Sequence, residues 1–234
     1  IATIEDISAQ DHVALNLYRA IEDPDHFVRF KIYHPRTAVA LSDCLPMLEN
    51  MGLRVQGETP HRVRLDGDLD VWIQDFGMEM PGGQALDLAA CKENFEEAFG
   101  QVWTGAVEDD GFNRLVLRAG LKSRQIAVLR ACCKYLRQTG IAFSQAYMEN
   151  TLSDNAAVAA RLWHLFELRH APLVEGDRTK AAEVVVAEIE AMLDGVESLD
   201  EDRILRRYLN LMQSMLRTNV FQHDAEGRPK PYMS

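Results

Sequence analysis

Apolar and polar residues alternate with a period of two along the first third of the chain. Residues 13–19 show this alternation, and residues 28–34 show it more sharply, with Val28, Phe30 and Ile32 in one phase. A period of two places successive side chains on opposite faces of a sheet, so each run predicts a strand with one buried face. The turn-forming residues 22–25 between the runs predict an antiparallel connection.

The apolar spacing becomes helical over residues 41–51 and then returns to a period of two. Pro46 is tolerated only near a first helical turn, so this helix is predicted to begin at about Ser42 or Asp43 and to stop at Gly52. Strands are predicted around residues 53–55, 63–65 and 69–80, with a bulge near Asp75, where the alternation slips by one residue. The order strand, strand, helix, strand, strand predicts an antiparallel sheet covered by a helix.

Helical spacing dominates the chain after residues 80–84. Helices are predicted over residues 88–102, 112–119, 123–138, 143–152, 155–170, 179–193 and 199–216. Ser198 and Glu201 match a capping box, in which each side chain bonds the other residue's free amide. The fold class is therefore predicted as α+β, with the sheet followed by an all-α region. The predicted domains are residues 1–82, 83–218 and a polar connector at 219–234.

Composition and charge narrow the class of protein. The chain is 47% hydrophobic and 26% charged, as is typical of a globular protein, and its net charge of −11 disfavours nucleic-acid binding. No apolar run is long enough to span a bilayer, so no membrane partner is expected. Four cysteines, at positions 44, 91, 132 and 133, lie in apolar segments and indicate free thiols in a reducing cytoplasm. The start at Ile1 and the end at Ser234 suggest a piece of a longer polypeptide.

The sequence shows no motif for catalysis or cofactor binding. Its seven histidines do not combine with one another or with cysteine at zinc-site spacings, and no HExxH occurs. Neither Gly-rich phosphate loop is present, and a GxSxG nucleophile motif is also missing. We therefore expect no catalytic, cofactor-binding or metal-binding residue in this chain.

One basic segment, residues 112–139, follows an acidic one. Its seven bases are Arg114, Arg118, Lys122, Arg124, Arg130, Lys134 and Arg137, and it contains no acidic residue. The first three recur every four residues and would share a stripe if one helix ran through Gly120. The segment could bind nucleic acid or another anion, or it could face the acidic residues 86–110. The second interpretation is favoured because the complementary charge lies nearby in the same chain.

Several strings resemble the large, multidomain NAD-specific glutamate dehydrogenases of bacteria. They occur in the family's order at residues 30–35 (FKIYHP), 41–55, 112–116, 124–131, 135–140, 217–222 and 230–234 (KPYMS). The resemblance implies a parent that converts L-glutamate to 2-oxoglutarate and ammonia with NAD, in the cytoplasm, as a homo-oligomer. It also implies an ACT-like regulatory domain at residues 1–82 and a helical region, with the catalytic domain after Ser234.

Two hypotheses of function follow. The first is a non-catalytic regulatory and scaffolding segment, inactive by itself, whose partners are the remaining domains of the same chain. The resemblance to ACT domains implies a possible amino-acid effector site formed by His34, Pro35, Arg36, Ser42 and Gly52. The second is a stand-alone adaptor that binds nucleic acid or another anionic partner through residues 112–139.

Overall fold

The computed structural model describes residues 13–65, 69–172, 176–230 and 232–234. The chain divides into two compact units, Ile1–Ser123 and Arg124–Ser234. The first unit contains the sheet: β1 (Ala14–Tyr18), β2 (Phe27–Pro35), α1 (Leu41–Asn50), β3 (Arg54–Leu65), β4 (Leu69–Glu79), α2 (Leu88–Trp103) and α3 (Leu115–Arg118). The second contains α4 (Ser123–Gln138, whose first residue ends the first unit), α5 (Gln145–Asp154), α6 (Ala156–His170), α7 (Arg178–Leu193) and α8 (Leu199–Ser214).

The four strands form one antiparallel sheet in the order β1-β2-β4-β3. Strands β2 and β3 run parallel to each other on either side of β4, and α1 connects them. This is the split β-α-β arrangement of ferredoxin-like sheets, except that the edge strand β1 precedes the unit in sequence. The predicted ACT-like antiparallel sheet with a covering helix is therefore confirmed, as is the helical region after it.

The predicted bulge at Asp75 is wrong. Strand β4 pairs without interruption with β2 from Val71 to Glu79, and the register shift lies in β3, between Val55 and Gly57. The alternation slips because Gln74 occupies a core position and is only 3% exposed. Its amide accepts a hydrogen bond from the Val39 N–H at 2.7 Å and donates to the Val39 carbonyl at 3.1 Å. These two bonds satisfy a polar group that burial would otherwise penalise.

Helix α2 packs on the sheet and belongs to the first unit. The fully buried ring of Phe30 meets Phe95 and Phe99 edge-on, with centroids 5.3 and 4.9 Å apart. At the outer strand, the Leu17 N–H donates to Glu96 Oε1 at 2.6 Å, and Lys92 Nζ donates to the Leu17 carbonyl at 2.6 Å. The division of the chain into units therefore differs from the predicted boundary at residue 82, which stays a prediction.

The helices of the second unit lie close to their predicted positions. Helix α6 packs against α5, α7 and α8, and α5 also packs against α8. Ser198 Oγ accepts from the Glu201 N–H at 3.4 Å, which confirms half of the capping box. The Glu201 carboxylate accepts from Asn155 Nδ2 at 3.1 Å and so connects the start of α8 to the start of α6.

One predicted helix, over residues 112–119, is wrong in form. A 3₁₀ turn at Gly111–Arg114 leads into the single turn of α3, which ends at Arg118. Gly120 follows with a φ of +64°, a left-handed conformation that ends the helix and suits glycine. Lys122 therefore does not continue a helical stripe with Arg114 and Arg118.

Candidate functional site

The loop before α1, where an effector site was predicted, is fixed by hydrogen bonds. His34 Nδ1 lies 2.9 Å from the Thr37 carbonyl, and the Arg36 N–H donates to the Asp70 carbonyl at 2.7 Å. Arg36 itself has a φ of +69°, a conformation that costs a non-glycine residue on the order of 1 kcal/mol. Together with the bonds between Gln74 and Val39, these contacts give the loop a defined shape.

The five predicted effector residues do not form one site. Ser42 lies in the first turn of α1, next to the loop that contains Arg36, whereas Gly52 follows the other end of the helix. Ten helical residues span about 15 Å, so the two ends are too far apart for one small ligand. Gly52 has a φ of +89°, and a Cβ there would lie 3.4 Å from Arg114 Cγ. Gly52 therefore has a packing role, and an effector site at His34, Pro35, Arg36 and Ser42 stays a prediction.

The predicted basic interface residues are divided between the two units. Arg114, Arg118 and Lys122 belong to the first unit, whereas Arg124, Arg130, Lys134 and Arg137 belong to the second. Arg130 is only 4% exposed, and Arg137 Nη1 donates to Gln145 Oε1 at 3.2 Å. The seven side chains therefore do not form a continuous exposed stripe along one helix.

Arg124 binds the C-terminal segment instead of facing a partner. Its guanidinium donates to the Val220 carbonyl at 2.8 Å and to the Lys230 carbonyl at 3.1 Å. These two acceptors are ten residues apart in sequence. One side chain therefore connects two separate backbone segments to the start of α4. Hydrogen bonds from a charged donor are stronger than those between neutral groups.

Within the segment predicted as a polar connector (219–234), residues 219–230 and 232–234 form a hairpin that we call the C-terminal hairpin. The Asn219 N–H donates to the Ser234 carbonyl at 3.3 Å, and the Ser234 N–H donates to Asn219 Oδ1 at 2.7 Å. Nearer the tip, the Lys230 N–H donates to the Gln222 carbonyl at 3.3 Å. The segment is therefore folded, and the buried Val220 and Asn219 belong to the core of the second unit.

Helix α6 provides a second set of contacts to this region. Phe221 packs against Trp163 and Phe166, with ring centroids 6.2 and 5.9 Å apart. Arg169 Nη2 donates to the Gln213 carbonyl at 2.7 Å and to the Met215 carbonyl at 3.3 Å, at the end of α8. These roles were not predicted, although the apolar pair Val220–Phe221 inside a polar segment was a usable signal.

The cysteines are not suited to nucleophilic chemistry. All four are free thiols, and burial raises the pKa of Cys44 to about 11 and that of Cys132 to about 12. Such thiols are protonated near neutral pH and react slowly. Within the described residues, histidine, cysteine and acidic side chains do not gather in threes as a metal ion would require. In the same part of the chain, every helix is too short or too polar to cross a membrane.

His170 at the end of α6 is expected to make stability depend on pH. Burial, with Arg169 and Arg178 nearby, lowers its pKa below the ordinary value of 6.5. Because the unfolded chain then takes up a proton at a higher pH than the folded one, the free energy of unfolding should fall as the pH drops below about 6.5. The measurement is urea unfolding at pH 7.5 and 5.5 for the wild type and His170→Gln.

In that comparison the other titrating groups act equally in both proteins. The loss of stability on acidification should therefore be smaller in His170→Gln. An equal loss in both proteins would contradict the assignment to His170.

Three sequence families match successive parts of the chain. Residues 12–91 match the family described as glutamate dehydrogenase, ACT3 domain, and residues 107–172 match glutamate dehydrogenase, helical motif 3. Residues 188–234 match bacterial NAD-glutamate dehydrogenase, catalytic domain. The first match covers the sheet, and the third includes α8 and the C-terminal hairpin. The match to the catalytic domain begins at residue 188, whereas the connector to that domain was predicted at residues 219–234. The bounds of the connector stay a prediction.

Curated relatives agree with these matches. The chain is 41% identical over 225 residues to the NAD-specific glutamate dehydrogenase of Halomonas elongata, which covers 95% of this chain and 14% of that protein. Identity to the Pseudomonas aeruginosa protein of the same name is 38% over 231 residues, covering 97% of this chain and 14% of the relative. The NAD-specific glutamate dehydrogenase of Mycobacterium tuberculosis is 42% identical over 192 residues, which covers 80% of this chain and 12% of that protein.

The chain thus spans about one-seventh of the length of these relatives. The three matches follow one another in the order ACT3 domain, helical motif 3 and catalytic domain. The resemblance noted in the sequence is confirmed, and the chain belongs, as a segment, to the family of bacterial NAD-specific glutamate dehydrogenases.

Proposed function

We propose that this chain is a non-catalytic scaffolding and regulatory segment of an enzyme that oxidises L-glutamate with NAD and water to 2-oxoglutarate, ammonia and NADH. The name shared by the relatives supports this parent activity and NAD as its cofactor. Under this proposal the partners are the remaining domains of the same polypeptide, within a cytoplasmic homo-oligomer. Neither nucleic acid nor a membrane is a partner.

One observation carries the scaffolding role. Arg124 and Arg169, from helices matched by helical motif 3, donate hydrogen bonds to backbone carbonyls of the region matched by the catalytic domain. The Arg124 bonds join both sides of the C-terminal hairpin to α4, and the Arg169 bonds join the end of α8 to α6, so that together they orient this region on the helices. The segment would thereby position the start of the catalytic domain.

The regulatory role rests on the loop before α1. His34 and Arg36 lie at the start of this loop and Ser42 in the first turn of the helix that follows it, and the bonds of Gln74 and Asp70 to the loop hold its backbone in one shape. A preformed loop binds a small ligand at a lower entropic cost than a flexible one. The effector class that we propose is a free amino acid, as the resemblance to ACT domains implies.

The test compares this chain with the full-length parent in an assay of NADH formation from L-glutamate and NAD. We expect NADH from the parent and none from this chain at equal molar concentration. Thermal unfolding of this chain with NAD and with each amino acid provides the second measurement. A ligand at 100 times its Kd adds about 2.7 kcal/mol of stability.

We expect no change in Tm with NAD and an increase with one amino acid at most. The variant Arg36→Gly removes the side chain and keeps a residue that readily adopts the left-handed backbone conformation. It should abolish the increase in Tm with the amino acid. Glutamate-dependent NADH formation by this chain alone would disprove the non-catalytic assignment.

A further inference from the structure

A cleft of about 460 Å³ lies in the second unit, beside the C-terminal hairpin. We call it the hairpin cleft. Its walls come from α4, α6, the end of α8 and the hairpin itself, and apolar side chains such as Val128, Phe166, Leu211 and Val220 make up most of its surface. Its volume falls within the range of about 300–1,000 Å³ that is usual for small-molecule sites.

One arginine, Arg217, lies at the cleft. Arg217 lines it and is exposed, and among the described residues no ion pair or hydrogen bond engages its guanidinium. The hydroxyl-bearing residues Tyr135, Ser214 and Thr218 line the same cleft. The hairpin cleft therefore combines an apolar interior with a cationic group and hydroxyl donors.

This combination selects the chemistry of a ligand. The Arg217 guanidinium and the hydroxyls of Tyr135 and Thr218 can donate hydrogen bonds to a carboxylate, whereas Ser214 Oγ already donates to the Asn210 carbonyl at 2.7 Å. Arginine binds carboxylates through two parallel bonds. The apolar walls favour an apolar body, since its burial removes hydrocarbon surface from water. We propose that the hairpin cleft binds a small monocarboxylic acid with an apolar body.

The place of the cleft suggests what binding would do. Its walls come from α4 and α6, matched by helical motif 3, and from α8 and the hairpin, matched by the catalytic domain. A ligand in the cleft contacts both parts and stabilises their contact, and this consequence for the parent rests on the proposed function. Binding itself is a property of this chain and is tested without an activity assay.

The probe is 4-phenylbutyrate, titrated into the chain with Trp163 fluorescence and calorimetry as readouts. Trp163 reports on the cleft because its ring centroid lies 5.4 Å from that of Phe166. The matched compounds are 4-phenylbutan-1-ol, which lacks the charge, and 4-phenylbutylamine, which reverses it. We expect the acid to bind at least tenfold more tightly than the alcohol, and the amine more weakly than either.

Three variants locate the site. Arg217→Gln should weaken binding of the acid by about tenfold and leave binding of the alcohol unchanged. Arg207→Gln is the matched control, since Arg207 is exposed on α8 outside the cleft and its loss should change neither. Ala131→Trp should abolish binding of both compounds by filling the cleft, and because Ala131 is exposed the fold should be retained, as circular dichroism would show.

Equal binding of the acid by the wild type and Arg217→Gln would overturn the proposal, as would no detectable binding by the folded wild type. If Arg217→Gln lost binding of the acid and the full-length parent formed no NADH from L-glutamate, the binding site would be supported and the proposed function would be rejected. The two conclusions are therefore separable.

Discussion

The substitution Phe30→Ala is expected to lower the free energy of unfolding of the sheet unit by about 4 kcal/mol. Phe30 lies on the central strand β2, is fully buried, and contacts Phe95 and Phe99 of α2 through its ring edge. Removing the ring loses its transfer free energy and leaves a cavity that the rigid sheet fills only in part. Urea unfolding followed by circular dichroism measures the change.

The control for this substitution is Ile21→Ala, at a side chain that is fully exposed in the turn after β1. It should change the free energy of unfolding by less than about 0.5 kcal/mol. A decrease of less than about 1 kcal/mol for Phe30→Ala would contradict the packing of α2 on the sheet.

The substitution Arg124→Ala is expected to have the second large effect. It should lower the free energy of unfolding by about 3 kcal/mol. The substitution removes charged donors from two carbonyls, those of Val220 and Lys230, and leaves the partly buried acceptors without partners. Since these bonds join both sides of the C-terminal hairpin to α4, amide protons of residues 219–230 should exchange faster. Hydrogen exchange and urea unfolding together measure the local and global effects.

Two variants test whether the cause is the pair of bonds. Arg124→Lys keeps the charge but lacks the planar fork that reaches two acceptors, so it should restore only part of the stability. Arg137→Ala, which removes an arginine bonded to Gln145 near the other end of α4, should cost less than about 1 kcal/mol. Normal exchange protection of the hairpin in Arg124→Ala would exclude its anchoring role.

The elements of this fold were predictable because their signals are local. The alternation around Phe30 and the helical spacing of α4 and α8 each occupy one short stretch of sequence, and the capping Ser198 marks its own helix end. The chain order of strands and the α1 helix then followed from these stretches. Periodicity reflects which face is buried, and here it reported that face correctly.

The two errors in the fold have different physical causes. Gln74 is polar yet buried, because Val39, 35 residues earlier, provides both hydrogen bonds. Gly120 ends α3 through a local backbone conformation that charge spacing does not reveal. The first cause therefore lies in tertiary structure and the second in the backbone of one residue.

The candidate sites were harder to predict than the fold. Ser42 and Gly52 are both near loops in sequence, but the length of α1 separates them. Arg124 was grouped with a basic segment by charge, whereas its partners lie 96 and 106 residues further along the chain. A side chain that bonds backbone carbonyls leaves no complementary residue type for a sequence pattern to detect.

The contacts of Lys92 and Glu96 with Leu17 also bear on self-association. Unpaired backbone groups at the border of a sheet attract strands from other molecules and promote aggregation. At β1 the side chains of α2 occupy the N–H and the carbonyl of Leu17, and β3 forms the opposite border of the sheet. There Pro60 offers no N–H, the register shift at Val55 and Gly57 interrupts regular pairing, and Arg62 and Arg64 add charge. These features disfavour the addition of a foreign strand at either border of the sheet.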